Sequence, residues 1–304
     1  MDLVNKNIQI ISAPSILGLK PSGVEMLSEA LMATGLQEAL GTQNKIVRVE
    51  TLNALYSGSR DPETQVLNPK PIREFSLKLG RTVGDTMDRH KFPFVLGGDC
   101  SILVGIMSAL KAKGNFGLVF FDAHADFYEP EKSTTGEVAD MDLAIVTGRG
   151  PEMLSNINGL RPYVNDEAVI HVGQRDWEES LEYGSRDIRK TDIKCFSLDE
   201  FKRKGANATT TEVLEYLDNL EVKGFWIHYD TDVLSDEINP AVDYRLPEGL
   251  QFDQVEYLVG SLLGTGKVVG ISVTIFNPKL DKTGEVAKNL SRSLAEAFTL
   301  DIRR

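Results

Sequence analysis

Short β-branched and aromatic runs alternate with longer stretches of mixed polarity along this chain. The runs at 8–13, 46–51, 94–97, 116–121, 168–173, 193–196, 224–229 and 268–273 read as strands. Between them, apolar residues recur at helical spacing over 24–39, 72–89, 101–112, 211–220, 253–263 and 285–300. Strands that are apolar throughout, rather than alternating, are buried on both faces. Separated by helices, they predict an α/β fold with a parallel sheet covered on both sides. No repeat, low-complexity tract or Pro/Gly-rich linker interrupts the pattern, which makes residues 1–304 a single domain. In such sheets the functional crevice lies beyond the carboxyl ends of the strands.

Composition narrows the function classes. The net charge of −12 over 304 residues argues against a nucleic-acid partner, which needs a basic patch. It suits a small, cationic substrate. Two cysteines, Cys100 and Cys195, cannot build a disulfide framework and fit a reducing, cytoplasmic setting. Asn5-Lys6-Asn7 runs straight into the first strand without a signal-peptide pattern. No apolar run approaches the ~18 residues of a membrane span, so no membrane partner is expected.

Three strand ends carry chemistry. One reads Leu96-Gly97-Gly98-Asp99-Cys100-Ser101, another Phe121-Asp122-Ala123-His124-Ala125-Asp126, and the third Ile227-His228-Tyr229-Asp230-Thr231-Asp232. On extended backbone, residues at i, i+2 and i+4 share a face, so Asp122, His124 and Asp126 converge, as do Asp230 and Asp232. A lone Asp-x-Asp is usually a turn or cap. Charges directly after an apolar strand are costly unless paired or metal-bound, and five carboxylate and imidazole groups suit hard divalent cations.

These motifs resemble the ureohydrolase superfamily of arginase, agmatinase and formimidoylglutamase. Gly97-Gly98-Asp99 is similar to its Gly-Gly-Asp-His motif, 122–126 to Asp-Ala-His-x-Asp, and 230–232 to Asp-x-Asp. Weaker similarity runs from Ala13-Pro14 to Asn277-Pro278. The resemblance implies a three-layer αβα fold with an eight-stranded parallel sheet, assembled as a homo-oligomeric trimer or hexamer. It implies hydrolysis of a non-peptide C–N bond in a linear amidine or guanidino compound by a metal-bound hydroxide at a two-manganese centre. Asp122 and Asp230 would bridge both metals, His124 and Asp232 would complete one site, and Asp126 and Cys100 would serve the other. Asp99 would orient ligands from behind, and Glu178 lies where relatives hold the substrate's amino end.

The departures are as informative as the matches. Cys100 stands where the family has histidine. A thiolate tilts the site towards zinc, and a helix N-terminus would lower its pKa. Its other readings are a small buried residue or, least favoured, a nucleophile. Two Mn2+ per chain are expected if the Cys100 site fills, otherwise one Mn2+ or Zn2+. His228 faces the ligand side of its strand, as a replacement imidazole, a general acid/base or a core histidine. Ala139 replaces a catalytic histidine, and nearby Glu137, Asp140 and Asp142 are placed to receive a cation. Ile275 falls where a guanidinium-binding glutamate belongs, which argues against strict arginase activity. Residues 239–245 replace a Gly-Thr-Gly-Thr-Pro loop, so the substrate rim is remodelled. A mononuclear deacetylase-like amidohydrolase and a non-catalytic binding protein are the alternatives. His90, His171 and Cys195 read as structural.

Overall fold

The computed structural model describes residues 7–299. Asn5, Lys6 and the last residue of the expected 285–300 helix lie outside them. In chain order the elements are β1 (Ile8–Ala13), α1 (Leu27–Ala33), α2 (Leu36–Ala39), β2 (Val47–Arg48) and α3 (Pro69–Asp88). Next come β3 (Phe92–Gly97), α4 (Ile102–Lys113), β4 (Gly117–Phe121), α5 (Asp142–Val146), α6 (Glu152–Ser155) and β5 (Val169–Val172). The chain continues through α7 (Trp177–Glu182), β6 (Lys194–Phe196), α8 (Leu198–Lys204) and α9 (Ala206–Asp218). It closes with β7 (Phe225–Asp230), α10 (Phe252–Gly264), β8 (Val268–Thr274) and α11 (Glu285–Thr299).

The eight strands form one sheet in the order β2-β1-β3-β8-β7-β4-β5-β6, and every pairing is parallel. Because successive strand residues point to opposite faces, two cores form. One takes Phe92 and Phe94 of β3 and Ile227 and Tyr229 of β7 against α1, α2 and α8 to α11. The other takes Val95 of β3 and Trp226 of β7 against α3 to α6. The result is the three-layer αβα architecture. No helix among the described residues is long and apolar enough to cross a membrane.

Two expected elements are shorter than their patterns. The 24–39 helix divides into α1 and α2 because Gly35 adopts φ 86°, a left-handed conformation that ends a helix. The 46–51 strand pairs only at Val47 and Arg48, on the sheet's edge where both are exposed. A short, charged edge is a common protection against unwanted strand pairing.

Candidate metal centre

The sheet order puts β3, β8, β7 and β4 side by side at its centre, so the three chemical strand ends meet at one edge. Within the sheet, His228 pairs across with Ser272 and Asp230 with Thr274, while Phe120 of β4 lies opposite His228. Tight backbone approach helps to bring β3 in. A Cβ on Gly98 would collide with the Ser15 carbonyl oxygen, and Asp99 N donates to that same oxygen at 3.1 Å.

The carboxylates converge through turns, not through the extended alternation expected of 122–126 and 230–232. His124 N donates to Asp122 Oδ1 at 2.6 Å, Asp232 N donates to Asp230 Oδ1 at 2.8 Å, and Asp126 sits at φ 46°. The backbone bends because each leading aspartate accepts an N–H two residues on, the Asx-turn preference. The ends then cross-link. His124 Nδ1 lies 2.9 Å from Asp232 Oδ2 and 3.6 Å from Asp122 Oδ1, and Ala123 N donates to Asp232 Oδ1 at 3.1 Å. His171 Nε2 meets the His124 carbonyl at 2.8 Å, which gives that strand histidine a positioning contact.

Burial and mutual repulsion raise the carboxyl pKa values of Asp122, Asp126 and Asp230. Burial acts the same way on Asp232, but His124 outweighs it and holds this carboxylate below its usual range. Asp122 Oδ2 has no hydrogen-bond partner of good geometry. Asp122, His124 and Asp126 present ligand atoms within 4.8 Å of one another, as do Cys100, Asp122 and Asp230. Several buried carboxylates sharing one imidazole lack positive charge, and divalent cations supply it. The donor set therefore fits a metal centre.

Cys100, His228 and Asp142 lie together beneath this cluster. Cys100 Sγ donates to Asp230 Oδ2 at 2.8 Å and lies 3.1 Å from Thr274 Oγ1. His228 Nε2 is 3.4 Å from Cys100 Sγ, its ring stacks on Phe120 with centroids 5.0 Å apart, and Nδ1 meets Ser272 Oγ at 2.9 Å. Two expectations are corrected here. The Cys100 thiol is not acidified by the helix that follows it, because burial and then Asp230 push its pKa well up. His228 is no solvent-facing acid or base. Burial lowers its pKa to about 3, and it is fully buried below the cavity floor.

A cavity of about 300 Å³ opens above the carboxylates. Its floor includes Cys100, His124, Asp126, Asp230 and Asp232. Part of the lining is apolar, with Leu19, Ala139 and Ile275, so the two positions at which a catalytic histidine and a guanidinium-binding glutamate were expected to be missing do face the cavity. Ile275 holds φ 72°, a costly conformation for a β-branched residue. Its N–H donates to the Gly98 carbonyl at 2.9 Å.

The rest of the lining is largely acidic. Glu137 and Asp140 belong to it as expected. Ser133 and Thr135 donate to Asp140 at 2.8 and 2.7 Å, and burial raises its pKa to about 7. Asp142 does not line the cavity. As the first residue of α5 it is fully buried, its ligand atom within 4.8 Å of those of Cys100 and His228. Glu178 is exposed and does not line the cavity; Asp176, Glu179 and Tyr183 do, from one side of the short helix α7. Asp99 caps the Ser101 N–H at 2.9 Å, so it shapes the turn carrying Cys100. The sequence reading missed Asp176, Glu179 and Tyr244. Glu179 stands three residues after Asp176 and Tyr183 four after Glu179, a helical spacing that would have favoured Glu179 over Glu178.

The Arginase family profile matches residues 6–300. The chain is 29% identical to a Staphylococcus aureus arginase over 296 residues, covering 93% of this chain and 94% of that one. It is 30% identical to the Bacillus subtilis arginase over 300 residues, covering 96% and 98%. The native arginase structure from Bacillus caldovelox superposes with a TM-score of 0.87 at 26% identity, covering 98% and 99%. Similarity thus runs through the whole sheet and all three chemical strand ends, and the chain belongs to the Arginase family of metal-dependent hydrolases.

Proposed function

We propose that this protein hydrolyses a non-peptide C–N bond in a small, cationic amidine, guanidino or related compound, and that it is a poor arginase. The observation that carries the reading is one cavity with a carboxylate–imidazole floor and a largely acidic lining. Asp122, His124, Asp230 and Asp232 would hold one ion, manganese in the first instance, and Asp126 would reach a second. When bound, such ions supply a nucleophile from water at neutral pH and stabilise developing charge.

The protein's own groups then position the substrate. Glu137, Asp140, Asp176 and Glu179 would attract the cationic end. Leu19, Ala139 and Ile275 would pack against the portion nearest the floor and exclude water. An apolar wall gives a guanidinium no charge-assisted partner there, which favours a substrate whose positive charge lies towards the mouth. His124, paired to Asp232, would be kept in a fixed orientation by that contact.

The thiol-to-Asp230 hydrogen bond supports a second reading, in which manganese alone fills only the His124 side, as in a mononuclear amidohydrolase. Metal analysis of purified protein separates the two by stoichiometry. A screen of manganese-loaded protein for urea, ammonia or amine release, across guanidino, formimino and acetylated amine compounds, tests the activity. No release from any class would leave a binding protein on the same fold.

A further inference from the structure

We propose that Cys100, His228 and Asp142 form a binding site for a borderline-soft divalent cation, zinc in the first instance, beneath the carboxylate cluster. The inference rests on reading the floor as a metal centre but on no particular reaction. The three residues come from the turn after β3, from β7 and from the start of α5, and their ligand atoms lie within 4.8 Å of one another. Zinc–sulfur and zinc–nitrogen bonds of ~2.3 and ~2.0 Å at a tetrahedral angle separate the two ligand atoms by about 3.5 Å. His228 Nε2 and Cys100 Sγ are 3.4 Å apart.

Two independent features fit a bound cation. Asp142 is fully buried, and what its carboxyl meets there is the Leu143 N–H and a second acid, Asp126, a contact that two carboxyls hold only by sharing a proton or a cation. The second feature is the far side of His228. Trp226 Nε1 donates to Ser272 Oγ at 2.9 Å, and indole N–H can only donate. Ser272 Oγ keeps a second lone pair and its own proton, so it can accept from His228 Nδ1–H or donate to a bare Nδ1, 2.9 Å away. The Nδ1–H tautomer is the one a cation would select, because it turns the Nε2 lone pair towards Cys100 and Thr274 with a hydrogen bond behind the ring to orient it.

Asp230 Oδ2, 2.8 Å from Cys100 Sγ, offers a fourth donor shared with the cluster above. On binding, the thiol releases its proton to solvent and its sulfur takes the ion in place of the bond to Asp230. A thiolate–imidazole–carboxylate set favours zinc over manganese.

The test is titration of the metal-free, full-length protein with Co2+, followed by the near-ultraviolet thiolate-to-cobalt charge-transfer band. A saturating band that zinc displaces is expected. Cys100→Ser should abolish it, Asp142→Asn and His228→Gln should each weaken Co2+ binding by at least ~100-fold, the upper range for losing even an outer partner, and Asp232→Asn should retain it. No band, or a band equally tight in both Asp142→Asn and His228→Gln, overturns the proposal. Because a buried substitution can unfold the chain, X-ray absorption at the zinc edge of the unmodified, zinc-loaded protein is the companion measurement. One sulfur neighbour is expected, and an all-oxygen shell overturns the site. Absence of hydrolysis with an intact band would sink only the proposed activity.

Discussion

Tyr244 Oη donates a 2.7 Å hydrogen bond to Glu137 Oε2, tying together two loops that both line the cavity. Lys20 Nζ lies 3.2 Å from the same hydroxyl and 4.4 Å from the ring centre. Burial raises the Glu137 pKa, and the tyrosine bond opposes that shift, so Tyr244 helps keep a carboxylate where a cation would dock. Tyr244→Phe should raise KM for a cationic substrate up to about ten-fold, with kcat nearly unchanged, because the lost bond of ~1.5–3 kcal/mol holds Glu137 and not the substrate, so only part of it reaches binding. Steady-state kinetics on the substrate found by the release screen checks this; a fall in kcat alone would place Tyr244 nearer the reacting atoms.

Arginine should be a poor substrate. Ala139 and Ile275 face the cavity, and neither side chain can donate a proton or pair with a guanidinium. A missing charge-assisted contact costs roughly ten- to a hundred-fold in affinity. Loss of a general acid/base costs a further ~10²–10⁴-fold in rate. His228, buried below the floor, cannot substitute. Urea release from L-arginine by manganese-loaded protein with kcat/KM of ~10⁴ M⁻¹s⁻¹ or more would contradict this.

Metal removal should destabilise the fold. Asp122, Asp126 and Asp230 are buried, with Asp122 close to both of the others, and a cation relieves their repulsion. Manganese at ~100 times its Kd should stabilise the protein by about 2.7 kcal/mol, read as a rise in Tm that a chelator reverses. Asp232→Ala removes the partner of His124 and should abolish most of that rise. An unchanged metal response in the variant would place the ion elsewhere.

Gly98 should tolerate no side chain. Its missing Cβ makes room for the Ser15 carbonyl, and overpacking of this kind costs typically ~1–3 kcal/mol. Gly98→Ala should lower the urea midpoint accordingly. Gly58→Ala is the control: it has open space around it and should stay within about 0.5 kcal/mol. Equal effects at both positions would show that the approach of the 15–18 loop to Gly98 does not constrain the turn.

Local pattern determined much of this protein. Apolar strands between amphipathic helices specify a parallel sheet, because backbone pairing and two-sided burial are satisfied together in no other simple way. The eight strand positions and the aspartate-rich strand ends were legible for that reason. Strand order was not, since it depends on pairings between distant segments. It is the order β3-β8-β7-β4 that brings Thr274 and Ser272 between the chemical strands. Side-chain direction in the bends was equally hidden. Asp140 and Asp142 stand two residues apart in one acidic stretch, yet Asp140 lines the cavity and Asp142 is buried beside Cys100 and His228. One charge opening the otherwise apolar α5 was the only local sign of burial. Which of two neighbouring carboxylates meets water and which meets a thiol is decided by what the rest of the chain packs around them, and only the tertiary structure contains that information.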